Sequence, residues 1–157
     1  MSALDPKPAA MSLTTMAEYV LPQHANVGGS VFGGQIMAWV DLCGAICAQR
    51  HAGRPCVTAF VDDLWFKRPV HVGQVVRLRA VVTATFRTSL EIDVEVEGED
   101  TLTGERWQTV TARLTFVALG EDRKPTPVPP LVLATEADRL SQAAAEERRV
   151  ARLARKV

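Results

Sequence analysis

The sequence predicts an α+β fold, in which a curled antiparallel sheet wraps one long central helix and a helical tail follows. Three observations carry this. From about Phe32 to His51 good helix formers dominate, without proline, and Asp41 and Arg50 are the only carboxylate and guanidinium. A surface helix shows one wet face, and this one shows almost none, so it must be wrapped. The segments that follow alternate apolar and polar residues with the period of a strand, most strictly where Leu90, Ile92, Val94 and Val96 interleave with Glu91, Asp93, Glu95 and Glu97. Short turns separate these segments, which favours antiparallel pairing.

In chain order, residues 1–12 read as a flexible arm. Thr14–Val20 reads as a first strand that Pro22 ends. Gln23–Gly34 is a loop rich in Gly and Asn, and the helix runs from there until Gly53 and Pro55 stop it. Cys56–Phe66 is the next strand. Gln74–Thr85 is another, with Val76, Leu78, Ala80 and Val82 on one face and Arg77 and Arg79 on the other. The Leu90–Glu97 strand and Trp107–Ala118 complete the sheet, the latter with Val110, Ala112, Leu114 and Phe116 inward. His71-Val72-Gly73, Arg87-Thr88 and Thr103-Gly104 are the turns. The domain is thus expected over 13–120, a Pro-rich linker over 121–134 and a helix over 135–157, whose apolar residues are sparse enough for a solvated helix packed lightly on a neighbour. One face of so small a sheet cannot cover an all-apolar helix. A second copy bringing its own helix and sheet would complete the cover, so an obligate dimer is expected.

The chain has 157 residues, 47% of them hydrophobic and 23% charged, the balance of one globular domain. Eighteen basic residues balance eighteen acidic ones, so there is no strong field to gather nucleic acid or an anionic membrane. The arginine stripe at Arg148, Arg149, Arg152 and Arg155 is diluted by Glu146 and Glu147. Three cysteines, Cys43, Cys47 and Cys56, do not make a disulfide scaffold and suit a reducing cytoplasm. The first ten residues hold two prolines and no apolar segment, so no signal peptide is expected there, and the Val31–Gln49 stretch is a poor membrane span because Asp41 and three glycines interrupt it.

Few residues could do chemistry. A lone carboxylate inside an apolar helix is costly unless paired or reached by water. Asp41 is therefore either a buried acid satisfied by a nearby hydroxyl or backbone group, or a carboxylate on the wall of a cleft, where it could act as a base. Gly33 and Gly34 weaken the start of the helix, so they need another reason. Either they pack tightly, or they let a ligand approach first-turn N–H groups, which have no intrahelical partner and carry the positive end of the helix dipole. Asn26 offers a donor and an acceptor, and is otherwise a turn residue. His24 reads as a loop-packing residue rather than a base. Cys43, Cys47 and His51 are too few for a metal site. Ser30 and Ser89 lack the context of a nucleophile elbow, and no phosphate-loop or dinucleotide fingerprint is present.

The run Pro22-x-His24-Ala25-Asn26-x-x-Gly29-x-x-Phe32-Gly33-Gly34-x-x-Met37-x-Trp39-x-Asp41 resembles the acyl-CoA thioesterases of the hotdog fold, and within them the branch of the YciA-type enzymes and the cytosolic long-chain acyl-CoA hydrolases. The likeness continues through Arg50-His51, Val57-Thr58-Ala59-x-Val61-Asp62, Phe66-x-x-Pro69-Val70-x-x-Gly73, Arg87-Thr88-Ser89 and Pro127-Val128-Pro129-Pro130. It implies hydrolysis of fatty acyl-CoA to free acid and coenzyme A without metal or other cofactor. It implies a homodimer that assembles to a hexamer, in which Asp41 of one subunit serves as general base or nucleophile. Asn26 of the other subunit would position water or the carbonyl, and the backbone near Gly34 would hold the oxyanion. His24 and Thr58 are implied substrate contacts, as are Lys67, Arg68, Arg87, Thr88 and Ser89, the last five for coenzyme A phosphates. Two positions depart from the family pattern: Gln74 replaces an acid, and Phe60 replaces a small residue on the strand that should line the acyl channel, where its ring would shorten the tunnel. The alternatives are a hydratase on the same fold, for which no His-plus-acid pattern is present, and a non-catalytic acyl-CoA-binding module.

Overall fold

The computed structural model describes residues 4–155, so the outermost residues of the expected arm and tail lie outside it. Five strands, β1 (Thr14–Tyr19), β2 (Cys56–Phe66), β3 (Val75–Thr85), β4 (Ser89–Glu99) and β5 (Arg106–Ala118), form one sheet in the order β1-β3-β4-β5-β2. Every neighbouring pair is antiparallel. The helices are α1 (Gly33–Ala52) and α2 (Glu136–Ala154).

The alternation sorts the sheet as its sequence requires. Val76, Leu78, Ala80 and Val82 of β3, Leu90, Ile92, Val94 and Val96 of β4, and Val110, Ala112, Leu114 and Phe116 of β5 are all buried. This face receives α1, whose Trp39, Val40, Cys43, Cys47 and Ala48 complete the core. Gly44 lets the helix sit close, since a Cβ there would lie 3.0 Å from the Phe116 ring. Gly53, at φ 65°, ends α1 in the left-handed conformation that glycine adopts without strain. Lys7 Nζ donates to the carbonyl of His51 (3.0 Å), placing a cation at the negative end of the helix. Through its backbone Lys7 also joins the Pro-rich segment, donating to Pro130 O and accepting from Val132 N.

The sheet order differs from a simple run of hairpins. β3, β4 and β5 pair in sequence, but β2 lies at the far edge beside β5, and β1 occupies the place next to β3. The turn His71-Val72-Gly73 therefore joins two strands that do not pair. Its backbone is engaged elsewhere: Val72 N donates to Gly29 O, Gly73 N to Val20 O, and Val31 N to Val70 O. The connection and the loop after β1 satisfy one another, which carries the chain across the end of the sheet.

α2 covers the opposite face of the sheet. Thr135 caps it, Asp138 N donating to Thr135 Oγ1 at 3.1 Å and Thr135 N to Asp138 Oδ2 at 2.9 Å. Sequence alone suggests a lightly packed, solvated helix, and it is half right. Leu140, Val150 and Leu153 are exposed, while the helix docks through Ala145 and its arginines. Glu91, expected to face solvent, is buried beneath it. Arg148 Nη2 and Nε reach Glu91 Oε1 and Oε2 at 2.7 and 3.2 Å, and Thr83 Oγ1 donates to Oε1 at 3.1 Å.

Among the described residues, nothing covers one side of α1. Met37, Leu42 and Ile46 stand exposed along it, beside Gly34, Ala38 and Asp41. The adjacent edge strand β2 leaves Val57, Val61, Trp65 and Phe66 exposed, and its outer backbone edge has no partner among the described residues.

Candidate active site

Asp41 lies on this uncovered side of α1, its side chain open to solvent rather than sealed in the core. Thr58 Oγ1, from β2, donates to Asp41 Oδ1 at 2.5 Å. The pair sits at a cleft of about 270 Å³ whose other walls are Met37, Val40, Val61, Leu64 and Leu114. Val40 and Leu114 belong to the buried core and close its floor. A carboxylate thus stands at the mouth of an apolar groove, one oxygen held by a hydroxyl and the other left for a water or a substrate.

A β-bulge decides what β2 offers to this groove. Thr58 opposes Phe116 and Phe60 opposes Thr115, so Ala59 is the extra residue. Thr58 and Val61 consequently share the α1 face, and Phe60 points to the other. Its ring lies under the guanidinium of Arg152 of α2, 5.0 Å from centroid to Cζ. The expected obstruction of the acyl channel by Phe60 is therefore absent, because the bulge turns the ring away from it.

Asn26 serves its own loop. Its Oδ1 accepts from Gly28 N (2.9 Å) and Ser30 N (3.3 Å), and its Nδ2 donates to Ser30 Oγ at 3.2 Å. These bonds hold an exposed tip directly before α1, and among the described residues none joins Asn26 to Asp41. His24 accepts from Leu21 N through Nδ1 (3.1 Å) and packs edge-on against Trp39 at 5.0 Å. It fixes the loop to the helix.

At the start of α1 the N–H groups of Gly33 and Gly34 have no protein acceptor among the described residues. Close packing accounts for the small side chains: a Cβ on Gly34 would come within 2.5 Å of the Phe32 ring, and one on Gly33 within 3.4 Å of Phe66. Gly34 and Asp41 share one side of α1 but are two turns, about 10 Å, apart. Within one chain they cannot address the same carbonyl.

The basic candidates separate into two groups. Lys67 Nζ donates to Gln108 Oε1 (2.6 Å), while Arg68 pairs with Glu105 (3.1 Å) and stacks on Trp107 at 4.4 Å. Arg87 and Thr88 form the β3–β4 turn and Ser89 opens β4 at the other end of β5, where Thr88 O accepts from Ala118 N and Arg87 O from Val128 N. Lys67 N bonds Thr109 O, so about nine residues of β5, roughly 30 Å, separate the groups. Thr58 pairs near the Arg87–Ser89 end, through Phe116 and Leu90.

Cys43 and Cys47 are buried, and burial pushes the Cys43 thiol up to about 11 and raises that of Cys47. Cys56 is likewise pushed up to about 11. None has the thiolate character of a nucleophile. His51 Nε2 lies 2.9 Å from Pro129 O, and no group of metal-ligating side chains forms among the described residues. No described helix is long and apolar enough to cross a membrane. The links of α2 to Glu91 and Phe60 escape sequence reading, because nothing local marks either partner.

A helix held against a curled five-stranded antiparallel sheet, with a carboxylate at its open side, is the architecture of a known family. The model of the thioesterase superfamily matches residues 28–105. The chain is 40% identical over 117 residues to an uncharacterized acyl-CoA thioester hydrolase, YkhA, of Bacillus subtilis, covering 74% of this chain and 68% of that one. It is 38% identical over 138 residues to mouse acyl-coenzyme A thioesterase 11, covering 88% of this chain and 23% of that protein. The chain thus spans about a quarter of the length of such mammalian relatives. Among solved structures it matches an apo-hexameric acyl-CoA thioesterase with a TM-score of 0.90 and 38% identity, over 97% of both chains. An acyl-CoA hydrolase of Staphylococcus aureus, solved with butyryl coenzyme A and coenzyme A, matches at 0.85 and 31% identity over 96% of this chain and 92% of that one. Variants of the S. aureus enzyme replacing one Asp, one Asn and one Thr by Ala have also been solved. The chain belongs to the thioesterase superfamily and has its hotdog fold.

Proposed function

We propose that this protein is an acyl-CoA thioesterase that hydrolyses fatty acyl-CoA to free acid and coenzyme A. The observation that carries this is the Thr58–Asp41 pair at the mouth of an apolar cleft, on a face of α1 that the described residues leave uncovered. Asp41 acts as general base toward water, or as nucleophile. Thr58 holds Oδ1 so that Oδ2 is free to face the attacking water or, as nucleophile, the thioester carbon. The leaving thiolate is stable enough to depart without a strong acid partner.

The uncovered face of α1 and the open edge of β2 favour a homodimer, and hexameric relatives favour its further assembly. Because Gly34 and Asp41 of one chain lie two turns apart, the partner subunit supplies the oxyanion donor at the start of its own α1. The amide matching Asn26 comes from the same loop of that subunit. Support for these roles comes from the residues replaced in the S. aureus variants. There the Asn, Asp and Thr are spaced by 15 and then 17 residues, as Asn26, Asp41 and Thr58 are here. The Arg87–Thr88–Ser89 turn, nearer to Thr58 than Lys67 and Arg68 are, takes the coenzyme A phosphates of the local site; Lys67 and Arg68 serve a site reached from elsewhere in the assembly. The free thiols suit the reducing cytoplasm.

The test is thiol release from acyl-CoA by the Asp41→Asn variant. Loss of the base lowers turnover by about 10²-fold or more, with fold and assembly intact. Turnover near the parent rate would remove Asp41 from the mechanism.

A further inference from the structure

We propose that Arg152 of α2 is a positioning residue for the reaction, acting through Phe60 on Thr58 and so on Asp41; this rests on the catalytic reading of Asp41 given above. Among the described residues β2 pairs with β5 alone, and the Ala59 bulge interrupts that ladder next to Thr58, a break that a partner on the other edge of β2 does not repair. A bulge leaves its extra residue unpaired and disrupts the ladder locally, so backbone pairing holds the strand least where Thr58 must be aimed. The Thr58–Asp41 bond needs that segment at a fixed distance from α1.

The other face of the sheet supplies the restraint. Phe60, Thr115 and Glu91 are cross-strand neighbours and share that face. Arg148 sets its fork on the buried carboxylate of Glu91 in β4, anchoring α2 to the centre of the sheet. One helical turn further on, the same side of α2 places Arg152 over the Phe60 ring at 5.0 Å, while Arg149 lies over Phe86 at 5.2 Å, beside the Arg87–Ser89 turn. The helix therefore grips the two segments that flank the site, and Arg152 is its hold on the bulge. Sandwiched between α1, through Thr58, and α2, through Phe60, the weak stretch of β2 is fixed from both faces.

The experiment uses the full chain in its native assembly. Arg152→Ala lowers kcat by about two- to fivefold, the size of an exposed cation–π contact, with KM unchanged. Arg152→Lys, which keeps a cation over the ring, restores most of it. In a Thr58→Ala background Arg152→Ala has no further effect, because the group it positions is gone. Amide exchange over residues 57–61 is faster in Arg152→Ala than in the parent. An unchanged kcat, a change confined to KM, the same fold-loss with and without Thr58, or unaltered exchange would each overturn the proposal. The exchange readout is independent of chemistry, so parental turnover in Asp41→Asn would sink the choice of base without touching the clamp.

Discussion

Removing the guanidinium of Arg148 should be among the most damaging surface-accessible changes in the chain. Glu91 is 1% exposed and Arg148 25% exposed, and their two contacts at 2.7 and 3.2 Å form a fork on the carboxylate. Without Arg148 the carboxylate keeps Thr83 Oγ1 at 3.1 Å and Arg113 Nε at 3.5 Å. Arg113 is already committed to Asp93, with contacts of 2.7 and 2.9 Å, so it cannot fully replace the lost fork. Breaking a buried pair from one side costs about 3–5 kcal/mol. Because Arg113 still faces Glu91 and the vacated space opens toward water, the cost falls to or just below the bottom of that range, about 2–3 kcal/mol for Arg148→Ala. With a urea m-value of about 2 kcal/mol/M, this moves the unfolding midpoint down by roughly 1–1.5 M. Tryptophan fluorescence in urea at one fixed protein concentration measures it, since subunit association makes the midpoint concentration-dependent. The double variant Glu91→Met, Arg148→Met should recover much of the loss, as apolar replacement of a buried pair is often neutral. A shift of Arg148→Ala within about 0.5 kcal/mol, the range of ordinary surface changes, would refute the view that α2 seals Glu91 from water.

Two further tests follow from the site and the core. Single-turnover hydrolysis in H₂¹⁸O tests the nucleophile role of Asp41. Unlabelled fatty acid at the first turnover, with ¹⁸O left in Asp41, requires an acyl–Asp41 anhydride that water opens at the Asp41 carbonyl, whereas a general base puts solvent oxygen into the acid and leaves Asp41 unlabelled. His51 gives a pH dependence of stability. Its Nε2 meets Pro129 O, its Nδ1 is buried without a partner, and burial, aided by Lys7, holds the imidazole below its usual value. The unfolded chain takes up a proton near pH 6.5 while the folded one resists, so this contribution is complete above about 6.5 and falls as the pH drops below it. Melting temperatures at pH 7.5 and 5.5 should diverge less in His51→Gln than in the parent. An equal divergence would show that His51 is not responsible.

The candidate site was legible to unequal depths. Asp41 is conspicuous because a carboxylate in an apolar helix must be explained wherever it lies. Gly33 and Gly34 are conspicuous as poor helix formers at a helix start. The structure answers the glycines partly by the rings of Phe32 and Phe66, which come from the residue before and from a strand more than thirty positions later. Phe60 shows why position along a strand is not orientation: one extra residue at Ala59 reverses the face that the next side chains present, until β2 shifts register again between Asp62 and Trp65. The separation of Lys67 and Arg68 from Arg87–Ser89 is likewise invisible in one dimension, since it is the length of β5 that parts them.

What the amino-acid order by itself determined was periodic and local: the alternation of β3, β4 and β5, the long apolar α1 with its glycine stop, and the helical tail α2 after a Pro-rich linker. These depend on side-chain spacing within one element, which a few neighbouring residues specify. Only the tertiary structure decided that β2 closes the far edge, that Glu91 is sealed by an arginine from the tail, and that Thr58 reaches Asp41. Each of these is a contact between segments far apart in the chain, set by backbone pairing at loop crossings and, for Thr58, by the bulge at Ala59, and no local pattern encodes which distant partner will satisfy a buried group.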